Sequence, residues 1–320
     1  MKFNDISDRF PWVWAAAGAL LFWAVLMVTI GSFSFAPLVA AMTSGAFLLL
    51  IALGQSLAMM TGAGNVDLSM PSVITLSAYV SLWVVGGQEG MGWSGVFTGI
   101  ALGAAIGMLN GLAVVFLRIP AIIATLAMGY IVTTFCLMAN EGISTNTVAP
   151  GLRFFATGQL LGVPVVVLLA AAMTLVAGLF YTRTGAGRML LATGQNHEAA
   201  RMAGIRVWLV VVLAFAICGG LAGLTGVLLG ARSGGAFLDM GEPYLLLSVG
   251  AVVIGGTPLF GGRVTVIGCA MGALFLVFLS TLMPVIGFTG GEAEILQGSL
   301  IIAVLVIGGL RLRHQMAAAD

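Results

Sequence analysis

From Phe10 to Val66 the chain carries no Asp, Glu, Lys or Arg at all. A run that long has no place inside a water-soluble domain, whereas about 20 apolar residues wound as a helix cross a bilayer. The remainder is similar: 60% of the 320 residues are hydrophobic and 7% are charged, against about 25% charged in soluble domains. With a mean hydropathy of +1.15, the chain cannot be a water-soluble enzyme, a disordered protein, a collagen or a secreted disulfide scaffold. The expected fold class is all-α, a polytopic membrane helical bundle forming one transmembrane domain over residues 1–320.

Charges and turn residues divide the apolar sequence into ten expected spans, near residues 12–30, 39–59, 68–86, 93–117, 120–139, 159–181, 207–230, 242–258, 264–282 and 295–310. The first apolar run follows Lys2 and Arg9 and leads straight into a second, so it reads as an uncleaved anchor and not a signal peptide. With both termini in the cytoplasm, that side receives Lys2, Arg9, Arg118, Arg183, Arg188, Arg201, Arg206, Arg263, Arg311 and Arg313, and the outside only Arg153 and Arg232. Ten cations against two is the sorting that the positive-inside rule demands. Glu89, Glu141, Asp239, Glu242, Glu292 and Glu294 fall outside. Trp12, Trp14, Tyr181 and Trp208 mark the cytoplasmic interface, and Trp93 and Tyr244 the outer one.

Several chemistries are excluded. A net charge of +1 gives no footprint for nucleic acid, and Cys136, Cys218 and Cys269 stand in apolar runs without the spacing of a zinc site or disulfide framework. Neither His197 nor His314 falls in an expected span. Lys2 is the one lysine, so no phosphate-cradling Gly-Lys-Ser/Thr is present, and any ATP is hydrolysed by another chain.

Glycine is used as punctuation and as a packing surface. Gly99, Gly103, Gly107 and Gly111 share one helix face, as do Gly219 and Gly223, Gly226 and Gly230, and Gly268 and Gly272. Small residues at that spacing let backbones approach closely, either within the bundle or at a subunit interface. Two segments read as broken helices. In Thr61–Pro71, Asp67 or Ser69 caps the next span and Pro71 sits in its first turn. The second is Gly255-Gly256-Thr257-Pro258-Leu259-Phe260-Gly261-Gly262. Such breaks serve either as plain turns or as lining of a water-filled path.

Residues 182–206 form the most charged segment. Within it Asn196 caps a short helix, Glu198 favours its first turn and pairs with Arg201, and Gly204 ends it. An isolated helix so short is unstable in water, so it rests either on its own bundle and the lipid interface or in a partner's cleft.

The stretch Arg188–Ile205 resembles the cytoplasmic coupling loop of ABC sugar-importer permeases, the ribose, xylose, arabinose and galactofuranose group. Gly64-Asn-Val-Asp-Leu-Ser69 resembles that family's Gly-Gly-Ile-Asp-Leu-Ser element, and Ile119-Pro-Ala-Ile-Ile-Ala-Thr-Leu126 its Val-Pro-Pro-Phe-Ile-Val-Thr-Leu element. Val253–Arg263 is close to its Gly-Gly-Thr-Ser-Leu-Phe-Gly-Gly run, and the last span with its arginine-rich end also fits. The five matches lie in order over residues 40 to 313. Asn65 replaces a second glycine and Pro258 a frequent serine, both at the candidate breaks.

The resemblance implies a permease domain over 1–320 in a bacterial inner membrane, with 182–206 as its coupling loop. It implies a second permease chain, identical or related, a cytoplasmic ABC ATPase carrying ATP and Mg, a periplasmic sugar-binding protein, and a neutral pentose or hexose as cargo. The chain itself is then no enzyme and holds no cofactor or metal. Asn196, Glu198, Ala199, Ala200, Arg201 and Gly204 are the expected ATPase contact, with the alanines small enough to let the helix seat deeply. Asn65, Asp67, Ser69, Asn110 and Thr125 offer hydrogen bonds either to sugar hydroxyls or to neighbouring helices. Arg153 and Arg232 stand either as solvated loop charges or as docking points for the binding protein. Rival readings are an ABC permease for autoinducer-2, nucleosides or branched-chain amino acids, a secondary transporter working without ATP, and an intramembrane enzyme, which the lack of a catalytic constellation disfavours.

Overall fold

The computed structural model describes residues 10–31, 35–62, 64–142 and 147–317. Lys2, Arg9 and Ala63, which entered the orientation and helix-break readings, lie outside them. The chain runs through α1 (Val13–Ile30), α2 (Ala36–Met60), α3 (Met70–Val85), α4 (Gly92–Phe116), α5 (Ala121–Gly142), α6 (Pro150–Thr157) and α7 (Val165–Arg183). It continues through α8 (Gly185–Gln195), α9 (His197–Met202), α10 (Val207–Ser233), α11 (Tyr244–Ile254), α12 (Val266–Val285) and α13 (Gly290–Ala317).

Each of the ten apolar segments contains a helix, and seven of these helices are long and apolar enough to cross a membrane: α1, α2, α4, α5, α7, α10 and α12. The outward faces are as oily as the core. Val28, Phe97, Tyr130 and Leu175 are exposed, while Gln55, Asn110, Thr125 and Ser248 are fully buried. That inverted polarity suits hydrocarbon as the surrounding solvent, where no helix gains by hiding apolar atoms and every polar group needs an internal partner.

α2 and α10 form the centre. From Gly45 to Met60, α2 is buried at every position but Leu49, which is partly exposed. Along α10 lie α4, α3 and α2. The glycine stripe of α4 faces that of α10, so it packs within the chain. A Cβ on Gly103 would run into the Gly219 carbonyl, one on Gly107 into that of Phe215, and one on Gly99 into Val227. Only bare backbones fit at this distance. Likewise Gly268 and Gly272 of α12 lie on the carbonyls of Gly255 and Ala251, drawing α11 onto α12. α5 packs on α3 and α4 through a stripe of Ala121, Ala124, Thr125, Gly129, Val132, Cys136 and Ala139. Cys136, Cys218 and Cys269 are all buried and free.

Three elements depart from the expected spans. The segment expected to begin at 159 opens instead with a two-stranded antiparallel hairpin, β1 (Gln159–Leu160) and β2 (Val163–Pro164). Its turn places Leu161 at φ 52° and Gly162 at φ 81°, the positive pair that a two-residue hairpin turn requires. α6 was not anticipated. It presents Leu152 and Ala156 inward, four residues apart, to a cluster with Val85, Val227 and Ala231. Finally, α11 has only eleven residues, about 16 Å of helix against the ~30 Å of a hydrocarbon core. The reason lies upstream. After α10 the chain turns back into the bundle: Met240 is buried, Gly241 abuts the Pro71 carbonyl, and its N–H donates to Thr75 Oγ1 at 3.2 Å. α11 and α3 therefore start side by side inside the bundle, and Tyr244 does not mark the outer end of a full-length span. α3 itself begins partway along α10, with Ile74 against Gly226, and Ala78 and Leu82 against Gly230.

Candidate functional site

α2 stops at Met60, and residues 64–69 then run without helix back into the bundle to start α3. Backbone groups of such a segment have no helical partners, so where they are buried side chains must satisfy them. Gln55 of α2, with its amide turned to suit its surroundings, donates to the Asp67 carbonyl at 3.3 Å and accepts from the Asp67 N–H at 3.2 Å. One buried amide thereby replaces a neighbouring strand. Thr125 of α5 accepts from the Leu68 N–H at 3.1 Å and lies 3.2 Å from the Val66 carbonyl.

The carboxylate of Asp67 fixes the turn into α3. Its Oδ1 accepts from the Ser69 N–H at 2.9 Å, the Ser69 hydroxyl at 2.6 Å and Asn110 Nδ2 of α4 at 3.3 Å. Asn110 also donates to Ser69 Oγ at 2.8 Å. Asn65 donates to Thr61 Oγ1 at 2.7 Å. The five residues expected along a pathway, Asn65, Asp67, Ser69, Asn110 and Thr125, thus come together in one cluster, each at most 5% exposed. Asp67 Oδ2 and Asn110 Oδ1 are left as acceptors without a donor among the described residues.

Below this break stands α9. Asn196 caps it by accepting from the Ala199 N–H at 3.0 Å, and Gly204, at φ 81°, donates to the Arg201 carbonyl to close it. Glu198 and Arg201 form the one ion pair among the described residues, 3.7 Å apart and open to solvent. Ala199 is exposed with them. Ala200 turns the other way, buried in the cluster that holds Val207 and Val211. Of the two alanines, one seats α9 on its own bundle and only the other lies on the free face.

The second break, Gly255–Thr265, closes through side chains as well. Thr265 Oγ1 donates to the Gly255 carbonyl at 2.8 Å, and the Thr265 N–H donates to Thr257 Oγ1 at 3.2 Å. Positive φ at Gly256, Gly261 and Gly262 bends the chain between them. At the opposite end of the bundle, Arg153 is exposed on α6. Arg232 is exposed at the end of α10, with its guanidinium carbon 5.2 Å from the centre of the Phe47 ring and its Nη2 3.5 Å from Ser44 Oγ. A crevice of about 200 Å³ between α2, α7 and α10 is lined by Leu53, Leu57, Phe180, Tyr181 and Leu221 among others. Its lining is apolar and gives sugar hydroxyls almost no partners.

Sequence reading missed Gln55 and His197. Gln55 was visible as an amide in the middle of an apolar run. His197 Nε2 lies 2.7 Å from the Thr61 carbonyl, a contact across 136 positions that no local pattern announces.

These features define a polytopic helical membrane protein with an unwound intramembrane segment above a short capped helix. The family model described as branched-chain amino acid transport system, permease component, matches residues 37–306, and the chain belongs to that family. It is a multi-pass protein of the inner membrane and a permease component. It is similar to the ribose import permease protein RbsC of Escherichia coli, 32% identical over 262 residues covering 81% of each chain. It also resembles the autoinducer 2 import system permease protein LsrC of Klebsiella pneumoniae (32% identical, covering 86% of this chain and 78% of the relative). The fructose import permease protein FruF of Bifidobacterium longum is 29% identical over 88% and 80%. No solved structure matches the chain. The resemblance to ABC sugar-importer permeases drawn from the five motifs is borne out.

Proposed function

We propose that the chain is the membrane subunit of an ABC importer that carries a neutral monosaccharide, a pentose or hexose, delivered by a periplasmic binding protein and driven by ATP hydrolysed in a separate subunit. In this reading the ten apolar segments make ten spans, α3 and α11 completed by the non-helical residues before them, with both termini in the cytoplasm, residues 182–206 form the coupling loop, and a second permease chain completes the pathway. ATP and Mg belong to the partner. The observation that carries the reading is α9: a six-residue helix, capped at both ends, whose Glu198, Ala199 and Arg201 face outward while Ala200 holds it to the bundle. A helix so short persists only because something fixes its inner face, and its outer face is left free for an ATPase cleft.

The cluster at the unwound segment supports a neutral polar cargo. Asp67 Oδ2 and Asn110 Oδ1 are spare acceptors, and sugar hydroxyls are donors. No paired carboxylates of a proton route accompany them among the described residues. In this reading Arg153 and Arg232, exposed at the other end, meet carboxylates of a docking protein. A second cargo has specific support, since a relative at 32% identity is an autoinducer 2 import permease.

The test is ATP-dependent uptake of pentoses, hexoses and autoinducer-2 with the neighbouring ATPase and binding protein co-expressed. Glu198→Arg, a change at a solvent-exposed position, is expected to abolish uptake of the one transported solute with the protein still present in the membrane. Uptake unaffected by the reversal would remove α9 from the coupling role.

A further inference from the structure

Three chain segments meet at the foot of α2, and almost nothing but backbone separates them. Gly194, at the end of α8, lies so close to Met60 and Gly262 that a Cβ there would strike the Met60 carbonyl and come within 2.6 Å of the Gly262 nitrogen. A Cβ on Gly261 would fall 2.7 Å from the Cα of Gly62. Gln195 Nε2 donates to the Gly262 carbonyl at 3.3 Å. The end of α8 that leads into α9, the end of α2 and the glycine turn of the second break are therefore packed backbone against backbone.

His197 supplies a polar bond at this junction. The Thr61 carbonyl can only accept, so His197 Nε2 carries the hydrogen and donates across 2.7 Å. Thr61 is the C-terminal capping residue of α2, where carbonyls lack helical partners. The first side chain of α9 thus caps α2 from outside. Thr61, itself fully buried, holds Asn65 through its hydroxyl, and the Asn65 N–H donates to the Gly62 carbonyl at 3.1 Å. Hydrogen bonds thus lead from α9 through Thr61 to Asn65, in the unwound segment.

We infer that His197 is the positioning residue through which displacement of α9 is transmitted to the unwound segment 64–69. The inference rests on the importer reading for the source of that displacement, and on the geometry alone for the link. Hydrogen exchange on the purified full-length chain in detergent tests the link without any partner. His197→Ala is expected to speed exchange of amides 64–68 about tenfold, since exchange reports local opening. His197→Gln, which keeps a side-chain donor, is expected to restore protection, and Met202→Ala, on an exposed side chain of the same helix, to leave it unchanged. In the assembled transporter, His197→Ala is expected to lower solute imported per ATP several-fold while the ATPase still co-purifies, with Gln again restoring it. Unchanged exchange in His197→Ala overturns the inference, and so does altered exchange with import per ATP intact. If the wild-type assembly shows no ATP-driven import, the importer reading fails, and the exchange measurement still decides whether the link exists.

Discussion

Gln55 illustrates how a single residue makes an irregular segment tolerable inside a membrane. Its amide offers one donor and one acceptor at the spacing of a peptide group, and Asp67 takes both. Replacing it with leucine keeps the volume and orphans a buried N–H and a buried carbonyl, each costing about 1–3 kcal/mol. Gln55→Leu is expected to destabilise the protein by about 2 kcal/mol in a detergent denaturation series, and an unchanged midpoint would contradict the pairing. At this scale the sequence is partly legible. Polar residues in an apolar run declare that partners exist, which is why Asn65, Asp67, Ser69, Asn110 and Thr125 stand out. What they bind is set by the path of the backbone, and that path is invisible in a list of side chains. The alternative left open for them, hydrogen bonds to neighbouring elements, is the one seen in this conformation.

At the scale of elements, hydrophobic runs and charge breaks locate the long helices because length and polarity are local properties. The glycine stripes on α4 and α10 were equally plain, but their partner was not, since a face that admits another backbone is the same whether that backbone is in the same chain or another. The structure pairs them with each other. Gly103→Val is therefore expected to lower the thermal midpoint markedly, by an overpacking cost of about 1–3 kcal/mol or more. Gly178→Ala on α7, where a Cβ meets nothing within 4 Å, is expected to leave it unchanged or slightly raised; equal effects at both sites would contradict the α4–α10 contact. The shortness of α11 and the hairpin at 159–164 were not legible. In the hairpin apolar residues continue through the irregular part at Leu160, Leu161 and Val163, while the span expected at 242–258 takes in Glu242, Pro243 and residues 255–258, which lie outside the eleven-residue helix. A span and a segment that turns back inside the membrane face the same solvent and select the same residues.

Across the whole molecule, the two broken segments meet beside α9 at one end of the bundle, where Gly261 lies against Gly62. The class of protein was readable from motif order, and the family match over residues 37–306 agrees with it. The way the motifs converge was not, because Gly62, Gly194 and Gly261 are brought together by packing of helices far apart in the chain. In the proposed importer this convergence would carry energy that enters at α9 from another subunit to the segment around Asp67. The most direct test is solute uptake into vesicles that contain this chain and its binding protein, with the partner ATPase present, absent, or present without ATP. Uptake of one sugar or autoinducer-2 is expected only when both ATPase and ATP are supplied. Uptake of the same solute at an equal rate without the ATPase would contradict the importer reading and make the chain a transporter driven by some other gradient.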